Sequence, residues 1–377
     1  MDKKAPISLA RLLLLFLKIG SVGFGGGMAI ISVMERELVR KRKLLPLGEF
    51  LHGVGFGQIL GSFAINAALF AGYRLYGAVG GLLSAAAFLA PSLAMVVGLS
   101  ALYFRYHAIP ALAGAVAGLG PVVIALIVEA AWSIAARVLR SPAGIAVALA
   151  ALAAGLCKVN ALWVLGAAGA IGILLARVGR PAPPASPEAP EPFRAWMAAP
   201  VLAGGSLGAL ATTFFKVGLL FFGGGFVLIP VLSARLVTEL HWLTAREFID
   251  GVAISNLTPG PIAVLATFAG FHLAGVTGAL IATAALLAPA AILMLVLSRQ
   301  YERFCFGPYG QGFLSLLNPA IAGLILSAAF LLGGGVMTSW PRWIFGAACL
   351  LVLRKLEWPP VILLAAGALA GYAGLLP

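Results

Sequence analysis

Charged residues are scarce in this chain, and acidic residues are the scarcest of them. Only 10% of the 377 residues are charged, with 12 Asp and Glu against 25 Lys and Arg. A soluble domain of this length could not cover its surface with so few charges. The composition therefore indicates a protein whose surface is not mainly in contact with water.

Residues that hold metals or carry out catalysis are also few. The chain has four His and three Cys, and the cysteines, Cys157, Cys305 and Cys349, are far apart and odd in number. This pattern argues against a disulfide framework and against a CxxC-type metal site. Neither an HExxH motif nor a Walker loop is present. We predict a protein that is not an enzyme and that holds no metal and no cofactor.

Apolar runs long enough to cross a membrane recur along the whole chain. Apolar residues make up 62% of the sequence, with long runs at 75–104, 109–136 and 275–298; about 20 residues are enough to span a bilayer. The net charge of +13 comes from Lys and Arg scattered between these runs, as in cytoplasmic loops of membrane proteins. We therefore predict an all-α integral membrane protein whose partner is the lipid bilayer and not nucleic acid.

The sequence consists of two homologous halves. A shift of 198 residues aligns positions 16–105 with 214–303 without a gap, and 33 of the 90 pairs are identical. Lys18 pairs with Lys216, and a triple glycine pairs with a triple glycine, matches that apolar composition alone would not produce. We predict repeats at 1–178 and 193–377, joined by a stiff Pro-rich linker at 179–192.

Matching loops of the two halves differ in charge. Residues 35–49 include five Lys and Arg, whereas the corresponding residues 233–247 include two. The contrast is expected if the first loop is cytoplasmic and the second is not, which would make the halves inverted repeats. Drift between two parallel copies would give the same contrast. The expected fold has about 10–12 membrane segments, including broken or re-entrant helices.

Glycine and proline interrupt the first two apolar segments of the halves, at 9–34 and 50–70 in the first half. A glycine triplet should open the first segment, because each glycine costs a helix about 1 kcal/mol relative to alanine. The second segment contains a Pro-Gly-Pro turn in the second half alone, at Pro259–Pro261. Within a membrane, freed backbone groups are tolerated where they line a cavity or are buried. We expect these breaks to form a transport site, with close helix packing as the alternative role of the glycines.

Backbone N–H groups at such breaks would suit a small anion with many acceptor oxygens. Lys18 and Lys216 would add positive charge, although a lysine can also extend to the membrane surface. Glu129 stands alone in an apolar segment, as a proton carrier or as a helix cap near Arg137. The candidate substrate-binding residues are Lys18, Gly25, Gly26, Gly27, Lys216, Gly223, Gly224, Gly225, Asn256, Thr258, Pro259, Gly260 and Pro261.

Two motifs resemble the signature of the chromate ion transporter family, whose long-chain members also consist of two halves. The first is FLKIGSVGFGGG, which begins at Phe16 and recurs as FKVGLLFFGGG from Phe215. The second is TPGPIAV, which begins at Thr258 and is followed by ATFAG from Ala266. The first half departs from this pattern: after a one-residue slip it has LGS at 60–62 in place of Pro-Gly-Pro. The departure therefore predicts an asymmetric site, an altered substrate or a single functional repeat.

The resemblance implies a secondary transporter that exports chromate, a small inorganic oxyanion, across the bacterial inner membrane. Sulfate or another anion, carried by a transporter or a channel, is the alternative within the same class. A membrane enzyme acting on a lipid phosphate is a hypothesis from another class, which the lack of clustered acids and histidines in the apolar segments disfavours. A homodimer stays open as the assembly.

Overall fold

The computed structural model describes residues 7–23, 26–59, 62–106, 110–139, 141–159, 161–178, 207–219, 225–297, 308–356 and 358–376, and the regular structure within these ranges is helical throughout. The helices of the first half are α1 (Leu9–Val22), α2 (Gly26–Glu35), α3 (Leu47–Ile59), α4 (Phe63–Tyr106), α5 (Pro110–Val138), α6 (Pro142–Leu156) and α7 (Ala161–Val178). Those of the second half are α8 (Leu207–Leu219), α9 (Leu228–Leu232), α10 (Ala245–Leu257), α11 (Leu265–Leu297), α12 (Pro308–Val336), α13 (Trp340–Leu356) and α14 (Pro360–Tyr372). The predicted all-helical fold is confirmed.

The two halves share one helical register. α3 and α10 both have 13 residues, α5 and α12 both have 29, and each pair begins 198 residues apart. α4 and α11 are kinked at matching glycines, Gly77 with φ +66° and Gly275 with φ +57°, a conformation that glycine adopts without strain. The duplication is confirmed. The linker 179–192 lies outside the described residues, so the boundaries at 178 and 193 stay predictions.

The constant register corrects the alignment of the second break. The helices before and after it are offset by 198 residues, so no slip occurs and 61–63 in the first half correspond to Pro259–Pro261. The break is also present in both halves and not in the second alone, because α3 ends at Ile59 and α4 begins at Phe63. Proline is therefore not required for the chain to turn here.

A hairpin of two antiparallel arms, and not one helix, occupies the segment expected at 50–70. Arg74 Nη2 on α4 lies 2.6 Å from Glu49 Oε1 on α3, and a Cβ on Gly53 would touch the ring of Phe70. The partner of residue 49 is residue 74 and that of residue 53 is residue 70, so the two arms run antiparallel. α3 is roughly 20 Å long at 1.5 Å per residue, shorter than the hydrocarbon core of a bilayer. The hairpin therefore turns inside the molecule.

Both hairpins of the first half start from one side, which we call the near face. The Tyr76 hydroxyl, at the kink of α4, donates to the Ile7 carbonyl before α1, so α1 begins beside the base of the α3–α4 hairpin. α2 ends in a π-helical turn, Arg36–Lys41, that leads through a short loop to α3 on this face. α1 and α2 thus form a second hairpin, and the predicted break in the segment 9–34 is confirmed.

Equivalent helices of the two halves run antiparallel, as the predicted inversion requires. Gly120 on α5 lies against Val336 at the end of α12, and Ile124 on α5 lies near Gly333, earlier on α12. Tyr103, near the end of α4, bonds Asp250 in the first half of α10, so the hairpins of the second half start from the opposite side, the far face. The halves are inverted repeats.

The long helices have the length and composition to cross a membrane. Within the described ranges, four such spans are Ala64–Tyr106, Gly114–Ala136, Ile262–Leu295 and Ser315–Val336. α5 packs against α13 and α14 of the other half, and α12 packs against α6 and α7, so the halves interlock. Outward-facing tryptophans such as Trp163 and Trp340, which are 63% and 75% exposed, suit the membrane–water interface.

The inversion predicts that matching loop positions react from opposite sides of the membrane. Arg40 and Thr238, which are 198 residues apart, are both exposed. In a variant with its three cysteines replaced by serine, Arg40→Cys and Thr238→Cys should each be labelled by an impermeant maleimide from one side only, and from different sides. Intact cells and everted vesicles supply the two measurements. Labelling of both cysteines from the same side would contradict inverted repeats.

Candidate functional site

Hairpin tips from the two halves meet inside the molecule. The N–H of Gly260, at the tip between α10 and α11, donates to the carbonyl of Gly23, which ends α1, at 3.0 Å. The hydroxyl of Ser92 on α4 donates to the carbonyl of the adjacent Pro259. The two halves therefore share hydrogen bonds at the positions where their helices are interrupted.

The contact between the tips requires glycine at position 260. Its φ is +126°, and a Cβ added to it would lie 2.2 Å from Ser92 Oγ. Any other residue at this position would strain the backbone, and its Cβ would clash with the Ser92 hydroxyl. The proline on each side fixes its own φ, which restricts the chain entering and leaving the glycine.

The polar side chains of the Asn256–Pro261 run close the end of α10. Asn256 Nδ2 donates to the Val252 carbonyl at 2.8 Å, and Thr258 Oγ1 donates to the Ser255 carbonyl at 3.0 Å. The Ser255 carbonyl belongs to the last helical turn, and the residue four positions on is Pro259, which has no N–H, so the Thr258 hydroxyl supplies the donor that the helix lacks. Pro259 and Pro261 have no N–H, and the N–H of Gly260 is bonded to Gly23, so donors for a ligand must come mainly from the neighbouring helix starts.

Helix N-termini lie at the tips. α2 begins at Gly26, α4 begins at Phe63, and a 3-10 turn, Ile262–Val264, leads into α11. A helix N-terminus carries about half a positive charge and unpaired N–H groups. At the start of α4, Ser62 Oγ and Asn66 Nδ2 are buried without a hydrogen-bond partner in the described part of the chain. These groups add polar hydrogens to the region.

The described glycines of the triplets, Gly26, Gly27 and Gly225, lie at the other pair of tips. Gly26 and Gly27 are the first residues of α2, and Gly225 opens the 3-10 turn Gly225–Val227 before α9. A Cβ on Gly225 would lie 2.6 Å from Ile262 Cγ2, so the two tips of the second half are in contact. The predicted site residues Gly25, Gly223 and Gly224 lie outside the described residues.

The paired lysines have different surroundings. Lys18 is exposed on α1, and its charge acts on the buried Glu37, whose pKa is lowered mainly by a hydrogen bond from Lys41, despite burial. Lys216 is half-buried on α8, and the charge of Arg235, which occupies the place of Glu37 in the other half, acts on it. Matched positions 37 and 235 therefore carry charges of opposite sign in the two halves, and Arg235 is itself paired with Glu239.

Glu129 lies away from the tips, on α5. The antiparallel register of α5 and α12 places it opposite Ser327, at the point where these two helices cross. Its side chain is half-buried and has an interaction partner. The structure thus puts Glu129 near the pseudo-two-fold axis, and its role as a proton carrier stays a prediction.

The sequence analysis missed the contact residues that differ between the two halves. Gly23 aligns with Phe221 and Ser92 aligns with Ala290, so a search for identical pairs passes over both. Asp250 and Tyr103 were also missed as a pair, although Asp250 is one of only two aspartates in the chain. Scarcity of an acidic residue was the available signal.

Inverted repeats with interrupted helices that meet inside the molecule define a membrane transport protein of the inverted-repeat class. The chain belongs to the chromate transporter family. The sequence model of that family, described as "Chromate transporter", matches residues 10–173 and 208–372, once in each half.

Relatives of full length and of half length are known. The chain is 27% identical to the "Probable chromate transport protein" of Synechococcus elongatus, over 97% of this chain and 95% of the relative. It is 28% identical to the "Chromate transport protein" of Cupriavidus metallidurans, over 97% and 92%. The "Uncharacterized transporter YwrA" of Bacillus subtilis is 33% identical over 43% of this chain and 93% of the relative, so that protein corresponds to a single repeat. No solved structure matches the chain.

A methyl group at Gly260 should abolish transport without preventing insertion into the membrane. Gly260→Ala forces strain of about 1–3 kcal/mol at φ +126° and a clash with Ser92 Oγ. Gly275→Ala is the matched control, because its φ is also positive while nothing lies within 4 Å of an added Cβ. We expect initial flux to fall at least about tenfold in Gly260→Ala and much less in Gly275→Ala. Equal flux in the two variants would show that the tip contact is unimportant.

Proposed function

We propose that this protein binds chromate where the hairpin tips meet and exports it across the bacterial inner membrane. The observation that carries the proposal is the Gly23–Gly260 hydrogen bond, which joins interrupted helices of two inverted repeats within the molecule. Family membership supports chromate as the substrate. Rocking of one repeat against the other around this contact would expose the site to each face in turn.

Backbone amides suit a tetrahedral oxyanion for a physical reason. Such a dianion has four oxygens that each accept hydrogen bonds, and helix N-termini present several N–H groups with a partial positive charge. α2, α4 and the turn before α11 begin at the tips, while Ser62 and Asn66 add buried donors. The glycine triplets would let the backbone approach the anion closely.

The membrane potential supplies a driving force for export. Moving one elementary charge across 100 mV is worth about 2.3 kcal/mol, so a dianion leaving a negative interior gains roughly 4–5 kcal/mol. The basic loop at 36–43 lies on the near face, and an excess of Lys and Arg favours the cytoplasm. We therefore infer that the near face is cytoplasmic and that export proceeds toward the far face.

Everted membrane vesicles test the function directly. Vesicles containing the protein should accumulate radiolabelled chromate when their interior is made positive, and vesicles without it should not. Excess sulfate should compete if the site recognises a tetrahedral dianion and not chromate alone. Flux that fails to saturate with chromate concentration would favour a channel, and absence of protein-dependent flux would refute the proposal.

The lysines should differ in their contribution to anion affinity. Lys→Met removes the charge and keeps an unbranched apolar side chain. Because Lys216 is half-buried near Arg235, whereas Lys18 is exposed with Glu37 nearby, we expect Lys216→Met to weaken chromate affinity about ten- to a hundredfold. Lys18→Met should have a smaller effect.

Flux measured over a range of chromate concentrations, at low and high salt, separates the two lysines. A loss of affinity in Lys216→Met that persists at both salt concentrations is expected of a charge near a site of low water content. Unchanged affinity in both variants would assign the lysines to the membrane surface. Equal, severe losses would keep the anion role and remove the asymmetry.

A further inference from the structure

A buried carboxyl group links the two halves near the far face. Tyr103 Oη, on α4 of the first half, donates a hydrogen bond of 2.7 Å to Asp250 Oδ2, on α10 of the second half. Asp250 is 3% exposed and Tyr103 is 9% exposed. The proposed function makes no use of this pair, and the duplicated motifs do not include it.

Asp250 has no cationic partner in the described part of the chain, where every ion pair involves a glutamate. Burying an ionised carboxylate without a cation costs several kcal/mol, a cost that a carboxyl group avoids when it binds a proton. In membrane proteins, such a group marks a pathway for protons or ions by default. A purely structural hydrogen bond could use a neutral side chain instead.

The surroundings of Asp250 contain few other titratable groups. The titratable residues on the elements packed against α10 include Tyr103, Arg105 and Tyr106 at one end of α4, Glu129 on α5, His272 on α11, Tyr372 on α14, and the ion-paired Arg235 and Glu239; Tyr73, Arg74 and Tyr76 lie toward the other end of α4. The charges that act on Asp250 are Arg246 and Glu247, one turn earlier on α10 and opposite in sign. Glu247 is held by Thr244 in a capping box, so its charge is committed to the helix start.

Aromatic rings cover the pair. The Tyr103 ring lies 5.6 Å from that of Phe268, and the Phe104 ring stacks on Phe268 at 5.2 Å. The Phe104 ring also lies 4.7 Å from His272. Phe268 packs against Gly251, the residue after Asp250. This apolar cover isolates Asp250 from bulk water, so a proton bound there does not exchange freely in this conformation.

The position of Asp250 connects it to the hairpin tip. It lies between the start of α10, at Ala245 on the far face, and the tip at Gly260, which bonds Gly23. Its partner Tyr103 lies on α4, the helix whose Ser92 also bonds the tip. Movement of the α10–α11 hairpin relative to α4 would break the Asp250–Tyr103 bond and the tip contact together.

We propose that Asp250 is a proton-binding site that couples anion movement to proton movement in the opposite direction. This inference rests on the proposed transport function and names its coupling ion. Asp250 takes up a proton from water at the far face when the hairpin moves away from α4, and the proton is released to the near face as the cycle returns. Tyr103 is a positioning residue that donates to the carboxylate and ties the hairpin to α4.

Proton movement can be measured separately from chromate transport. Purified protein is reconstituted into vesicles that contain a pH-sensitive dye, with valinomycin and equal potassium holding the membrane potential at zero. In alkaline buffer, where chromate is a dianion, an outward chromate gradient should drive proton entry in the wild type. An imposed pH gradient should likewise drive uptake of labelled chromate, while chromate–chromate exchange reports binding and movement without net proton flux.

Asp250→Asn should abolish the proton flux and the response to the pH gradient, while chromate–chromate exchange continues. Tyr103→Phe should keep coupling and move its pH midpoint upward, because the ionised carboxylate loses a hydrogen-bond donor. Tyr106→Phe, an exposed tyrosine on the same helix, is the matched control and should behave as the wild type. Asp250→Glu should restore coupling in part if a titratable carboxyl group is what matters.

Several outcomes would overturn the assignment. Wild-type chromate flux without proton flux would refute proton coupling and leave chromate transport intact. Unchanged coupling in Asp250→Asn would refute the site, and its loss in Glu129→Gln alone would move the proton carrier to α5. If Asp250→Asn does not fold, unchanged pH dependence in well-folded Tyr103→Phe would still count against the pair. Absence of exchange in the wild type would instead refute the proposed function.

Discussion

The demand of backbone groups for hydrogen bonds in the middle of the molecule is the constraint on which the rest of the structure depends. An N–H or C=O group left unpaired away from water costs several kcal/mol, so an interrupted helix in a membrane must find partners. Here Gly23 and Gly260, at interruptions in different halves, satisfy each other. The inversion of the repeats makes this possible, because it brings hairpins from opposite faces to one level.

Interlocking of the halves holds the tips in place. α5 packs on α14 of the other half through small residues, with Gly118 against the backbone of Gly367 and Gly371. Gly323 on α12 lies in the same way against the Ala148 carbonyl of α6. Close packing of small residues is the main source of helix association in lipid, where no hydrophobic force draws helices together. The packing of α5 and α12 against helices of the opposite half thus holds in place the Gly23–Gly260 contact, which other helices make.

The two halves have similar backbones but carry different charged side chains at matching positions. The kinks at Gly77 and Gly275 are the same, whereas the position that Glu37 occupies in the first half is taken by Arg235 in the second. Asp250 corresponds in sequence to His52, another titratable residue, while Tyr103 corresponds to Tyr301. Residues with different charges therefore occupy matching positions within a shared backbone plan.

The sequence alone determined the membrane location, the duplication and the first break, because each depends on composition or on residues close together in the chain. Hydrophobic length and repeated glycines are local properties, and the charge contrast between the matching loops favoured inversion while leaving parallel copies as the alternative. Only the tertiary structure decided that 47–76 is a hairpin, that it turns in both halves, and that Gly23, Ser92 and Gly260 meet. Those facts depend on antiparallel pairing and on contacts between residues as much as 237 positions apart, from Gly23 to Gly260. A comparison of the two halves finds residues that are identical in both. These contacts, like that of Tyr103 with Asp250, join positions whose residues can differ between the halves.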